Sequence, residues 1–144
     1  MKVAFENVDL NSNSGPNSFG LKLYKEFLRK GIGVDYKSPD VRLAFIQTVF
    51  DKVQDPSFSH LKDIPYVLRL DGINFNTDFD WHAQNAEIKR SYDSAAAVIL
   101  QSEFNLELVN RFFGERENCH VINNGTDFAS INSIGEANFE KELS

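Results

Sequence analysis

AAVILQSEFNLELVNRFFG, residues Ala96 to Gly114, decides the fold. Its first part, Ala96 to Gln101, is a continuous apolar run ending on one glutamine, the pattern of a central strand in a parallel sheet. Ser102 follows as a helix N-cap. Phe104, Leu108 and Phe112 then recur every fourth residue, with Val109 and Phe113 beside them, and predict one helical stripe. Gly114 supplies the stop. A buried strand leading through a capped turn into an amphipathic helix is half of a βαβ unit.

The rest of the chain repeats that alternation. Lys2 to Glu6 reads as a short buried strand. The polar loop Asn7 to Asn17 follows, then a helix starting at Asn17 or Ser18, either of which can be its N-cap, with Phe19, Leu23 and Phe27 on one stripe. Gly31 and Gly33 end that helix, and Val34 to Tyr36 is a very short strand. Val41 to Gln47 and Tyr66 to Leu70 are further strands, the latter begun by Pro65. Between them a stretch to Lys62 is partly helical, broken at Pro56. A helix is expected from Trp81 to Ser94, and a last strand from His120 to Asn123. Alternation from end to end implies a parallel sheet with right-handed crossovers. The predicted architecture is α/β: a Rossmann-like three-layer sandwich with a mostly parallel sheet, and with Ala96 to Gln101 and Lys2 to Glu6 in central positions. One domain spans residues 1–128, and 129–144 form a linker or tail.

Composition narrows the function classes. The 144 residues are 42% hydrophobic and 25% charged, as in an ordinary globular domain. A net charge of −6 argues against non-specific nucleic-acid binding and against an anionic membrane surface. Cys119, the single cysteine, has no partner for an internal disulfide, which is compatible with a reducing compartment. No apolar run approaches the ~20 residues of a membrane span. The amino terminus MKVAFENVDL is too short and too acidic for a signal peptide, and the expected location is cytoplasmic. His60, His82 and His120 lack metal-ligand spacing, so no metal is expected. The first strand is not followed by G-x-G-x-x-G, and G-x-x-x-x-G-K-[ST] is absent, which argues against NAD and against a P-loop.

In open α/β sheets ligands bind at the carboxyl ends of the strands. The segments leaving the strands here are rich in Asn, Ser, Asp and Gly. That gives many neutral donors and acceptors with few cations, a set suited to sugar hydroxyls. Gly15, Pro16, Asn17 and Ser18 pivot into a helix whose free N–H groups attract a phosphate. Asp71 ends a strand, and Gly72 lets it face the cleft. Asn74, Ser102, Glu103, Asn124 and Gly125 complete the candidate binding set. Asp71 is the candidate catalytic residue.

The order of KVAFENV, GPNSFGLKLYKEFLRKGIGV, DVRLAFIQ, PYVLRLDGI, AAAVILQSEFNLELVNRFFG and HVINNGTD resembles the N-terminal, acceptor-side domain of a GT-B glycosyltransferase of the large family 4 type. The resemblance covers roughly residues 1 to 128. It implies one half of a GT-B fold and transfer of a sugar from a nucleotide sugar to an acceptor, with retention and without a required metal. The nucleotide sugar is then a co-substrate, and there is no other cofactor. In such enzymes the first loop faces the donor phosphates. Many relatives carry a histidine where Asp71 stands, so that residue's role does not transfer to Asp71. A second domain grips the nucleotide sugar through a paired-glutamate motif, and no glutamate pair in these 144 residues stands in that context. The resemblance therefore implies a chain inactive without a donor-binding domain. Its expected partners are a donor-domain chain or a second copy, with contact through Phe75, Phe79, Trp81 and Phe128. The alternative is a non-catalytic carbohydrate-binding or assembly module.

Overall fold

The computed structural model describes residues 1–6, 8, 15–45, 60–73 and 80–125, with side chains of the first helix from Ser18 onward. The elements are β1 (Lys2–Glu6), α1 (Gly15–Arg29), β2 (Gly33–Val34), β3 (Val41–Phe45), β4 (Tyr66–Leu70), α2 (Trp81–Ser94), β5 (Ala97–Leu100), α3 (Glu103–Phe113) and β6 (Cys119–Val121). All six strands pair in parallel in the order β2-β1-β3-β4-β5-β6. The expected Rossmann-like α/β sandwich is the observed one. β1 and β5 are interior strands, while the middle of the sheet is β3 and β4.

The strand order explains where the helices lie. From β1 the chain steps one way to β2. From β3 it steps the other way through β4 and β5 to β6. Right-handed crossovers in opposite directions put their helices on opposite faces. α1 therefore covers one face, and α2 and α3 cover the other. Beneath α1 lie Val3, Phe5, Leu43 and Phe45, met by Phe19, Leu23, Tyr24 and Phe27. The opposite core holds Leu68, Leu70, Ile88, Tyr92, Val98, Leu100 and Val109. Each such fully buried aliphatic side chain contributes about 1.5–3 kcal/mol relative to exposure.

Local signals hold at most boundaries. Ser102 accepts a bond from the Asn105 N–H at 3.2 Å and caps α3, and Asp80 caps α2 by accepting from Ala83 at 3.1 Å. Gly114 and Gly31 end α3 and α1 at φ 86° and 73°, where a side chain is disfavoured.

Two expectations are corrected. α1 begins at Gly15, so Asn17 and Ser18 lie inside its first turn and neither is the N-cap; Pro16, which has no N–H to leave unsatisfied, suits a first turn. Of the expected α3 stripe, Leu108, Val109 and Phe113 pack on the core and Leu106 joins them, while Phe104 and Phe112 are 71% and 41% exposed. Neighbouring apolar positions on that helix allowed two phases, and packing around Val109 selected one. Trp81 is half-buried, its ring meeting Phe112 edge-on at 6.4 Å and stacking on His82. The first polar loop except its helical end, the stretch after Phe45, Asn74, Phe75, Phe79, Phe128 and the tail lie outside the described residues. Among the described residues no helix is long and apolar enough to cross a membrane.

Candidate functional site

β4, β5 and β6 end side by side, and each delivers a polar side chain at or just beyond its last residues. Arg69 lies within β4 and Asp71 follows it. Gln101 follows β5, and Asn124 comes three residues after β6. These four side chains close a hydrogen-bonded ring. Arg69 donates to Asp71 Oδ1 at 2.8 Å and to Asn124 Oδ1 at 3.0 Å. Asn124 donates to Gln101 Oε1 at 2.8 Å, and Gln101 donates back to Asp71 Oδ1. Parallel pairing with Arg69 opposite Ile99 brings the β4 and β5 ends level, so residues 71 and 101 meet across the sheet edge. Asn105, in the first turns of α3, donates to the Asp71 carbonyl at 3.2 Å and ties the helix to the ring.

Arg69 is buried. Its guanidinium lies 3.8 Å from the Phe19 ring centroid and 5.8 Å from that of Phe45. Those faces attract a cation and fix the plane of the fork. Burial lowers the Arg69 pKa and raises that of Asp71, outweighing in each the attraction of the partner's charge. Both ring bonds to Asp71 fall on Oδ1. Its Oδ2 has no hydrogen-bond partner among the described residues, and the side chain keeps 27% of its exposure. The arrangement is a rigid frame of amides around a carboxylate with one acceptor oxygen left over. Such a frame can take a ligand hydroxyl and orient it; its one cation is already committed.

The expected site residues divide into three groups. Asp71 and Asn124 are brought together in the ring, and Gly72 follows Asp71 at φ 157°. Gly15, Pro16, Asn17 and Ser18 form the first turn of α1, whose N–H groups have no acceptor within the helix. That turn sits at the same sheet edge, because Phe19, the next residue, lies against Arg69. Gly125 borders α1 beside Phe19 and Leu23. Ser102 and Glu103 follow the same strand but do not join the ring. The Ser102 hydroxyl accepts the Asn105 N–H as a cap, and Glu103 is an exposed first-turn acid.

Arg69, Gln101 and Asn105 were missed from the sequence. The signal for the first two was present: each is the lone polar residue within or ending an apolar strand. Asn105 carried no signal. His60 reaches the Tyr36 carbonyl at 2.9 Å, and Cys119 packs against the core with its thiol pKa raised by burial. Among the described residues no group of three or more His, Cys, Asp or Glu could hold a metal ion. Comparisons with protein-family models, with curated proteins and with solved structures found no match.

Proposed function

We propose that this chain is the acceptor-side domain of a glycosyltransferase that takes its sugar from a nucleotide sugar, and that the polar ring at the ends of β4, β5 and β6 positions the hydroxyl-bearing substrate. The observation that carries the reading is the unfilled acceptor oxygen of Asp71, held in place by Arg69 and Gln101. A carboxylate fixed on one oxygen by two donors presents the other at a set angle. A sugar hydroxyl is a fitting donor to it, and neutral amides nearby suit further hydroxyls. The resemblance of the strand-end segments to family 4 GT-B enzymes supplies the reaction class. The first turn of α1, close to the ring, suits the electronegative donor phosphates. On this reading the domain contributes orientation, and the donor nucleotide is gripped by a second domain.

Ligand-observed NMR against methyl glycosides and against nucleotide sugars of several bases tests the reading. Asp71→Asn keeps the shape of the ring and removes the carboxylate. We expect it to weaken glycoside binding about tenfold or more, the cost of one charge-assisted hydrogen bond, with the thermal midpoint close to that of the wild type. Glycoside binding that survives both Asp71→Asn and Gln101→Ala unchanged would remove the ring from any such role.

A further inference from the structure

Among the described residues, α1 is the one helix on its face of the sheet, and it covers only part of that face. Beside α1 runs a trough of about 530 Å³. Its wall is Phe19, Leu23 and Phe27, and its floor is Leu43, Val67 and Ile99. These floor residues come from β3, β4 and β5, and Val67 and Ile99 are only half-buried. A space of that size is not a packing defect, because protein interiors leave few voids larger than a water molecule. Among the described residues no helix fills it.

The dimensions select what fits. The floor crosses two strand spacings, roughly 9.6 Å, and helices pack roughly 8–10 Å from their neighbours. The five-residue strands run roughly 17 Å, which is the length of about 11 helical residues. The opposite face is built in this way, with α2 and α3 both seated on the sheet. The rim adds a sign. The trough-side flank of α1 carries Lys22, Lys25 and Arg29 against one acid, Glu26. Glu26 is taken by Arg29 at 2.6 Å and Lys30 at 3.9 Å. Lys22 and Lys25 have no carboxylate partner among the described residues, in a chain whose net charge is −6.

We propose that the trough is an interaction surface that seats an amphipathic α-helix of another polypeptide, with an apolar stripe on the sheet and acidic residues facing Lys22 and Lys25. This is helix-in-groove recognition, with the apolar floor giving affinity and the basic rim giving orientation and choice of partner. It does not depend on what the polar ring binds, although Arg69 and Asn124 of that ring also line the trough at its strand-end limit.

The test uses two labelled peptides of about 15 residues, long enough to hold a helix. Both carry a leucine stripe, flanked by glutamate in one and by lysine in the other. Fluorescence anisotropy with the full chain should show the acidic peptide binding about tenfold or more tighter than the basic one. Lys22→Glu with Lys25→Glu should reverse that order. Ile122→Glu, at a 57% exposed position on the trough border, should weaken the acidic peptide without lowering the thermal midpoint. Equal binding of the two peptides, or no binding of either, overturns the proposal. So does sedimentation of the wild type as a dimer that Ile122→Glu dissociates. A Phe139→Ser, Leu143→Ser chain that binds the acidic peptide where the wild type does not would show that the trough is filled in cis, which also overturns it.

Discussion

Two arginine–carboxylate pairs sit on opposite faces of this sheet, with their arginines on adjacent strands, Arg42 near the amino end of β3 and Arg69 near the carboxyl end of β4. Arg42 on β3 faces Glu6 on the α2–α3 side. Arg69 on β4 faces Asp71 on the α1 side. The first pair is sealed, with side chains 4% and 5% exposed. Arg42 reaches both Glu6 oxygens, at 3.2 and 3.4 Å, donates to the Ile64 carbonyl at 2.8 Å, and lies over the Tyr66 ring. The second pair has the same chemistry but opens at one end, where Asp71 keeps an unused oxygen. A closed pair can only hold strands together. A pair that is rigid at one end and open at the other can hold a ligand. The difference lies in what surrounds the carboxylate, since the residue types are nearly the same.

The largest expected effect is on the sealed pair. Arg42→Met leaves the Glu6 carboxylate buried without its cation and should cost about 3–5 kcal/mol in urea unfolding. Adding Glu6→Leu should restore a large part of that loss, because an apolar pair of similar volume avoids the desolvation of both charges. If Arg42→Met proves no costlier than Arg69→Met, the contrast between sealed and open pairs is broken.

Arg69→Met is the intermediate case. The methionine can follow the Phe19 and Phe45 rings, so packing survives, while two charge-assisted bonds of the ring are lost. The expected cost is about 1.5–3 kcal/mol, since Asp71 can turn toward water. The larger signature is in binding, which should fall as far as in Asp71→Asn. An Arg69→Met protein that binds glycosides normally would show that the ring need not be intact.

The smallest effect is a pH dependence with a defined sign. Burial raises the Asp71 pKa in the folded chain. A carboxyl of raised pKa binds more protons folded than unfolded, so stability falls as pH rises through that window. Asp71's favourable contribution is complete below its unfolded pKa, about 3.9, and is lost as pH passes its folded value. The wild type should therefore gain on Asp71→Asn as pH is lowered across that range, read as the difference between their thermal midpoints. A difference that stays flat would place the Asp71 carboxylate in water, and one that moves against the wild type on acidification would show that the Arg69 charge outweighs burial. The flat outcome would dissolve its distinction from an ordinary surface acid.

Much of the fold was legible because it rests on local and periodic signals. The runs VRLAF, YVLRL and AVIL are the observed β3, β4 and β5 within a residue or two where described, and Ser102, Gly31 and Gly114 mark real boundaries. The phase of α3 was only partly legible: Leu108, Val109 and Phe113 pack on the core as expected, but Leu106 was not foreseen and Phe104 and Phe112 are exposed. Of the site, Asp71 and Asn124 were legible as polar residues following strands. Ser102 also follows a strand, but its hydroxyl caps α3 and stands outside the ring, a distinction that the sequence alone does not draw.

The sequence by itself determined the α/β class and the parallel sheet, since alternating strand and helix periods admit few other arrangements. It also determined the edge where polar residues would gather, because every strand in a parallel sheet ends on the same side. Only the tertiary structure decided which of those residues meet. Arg69, Asp71, Gln101 and Asn124 are up to 55 positions apart in sequence, and their contact depends on the registers of three strands. Register is a non-local property. One residue of slip would turn Arg69 from the Phe19 side to the α2–α3 core and leave Asp71 without its frame.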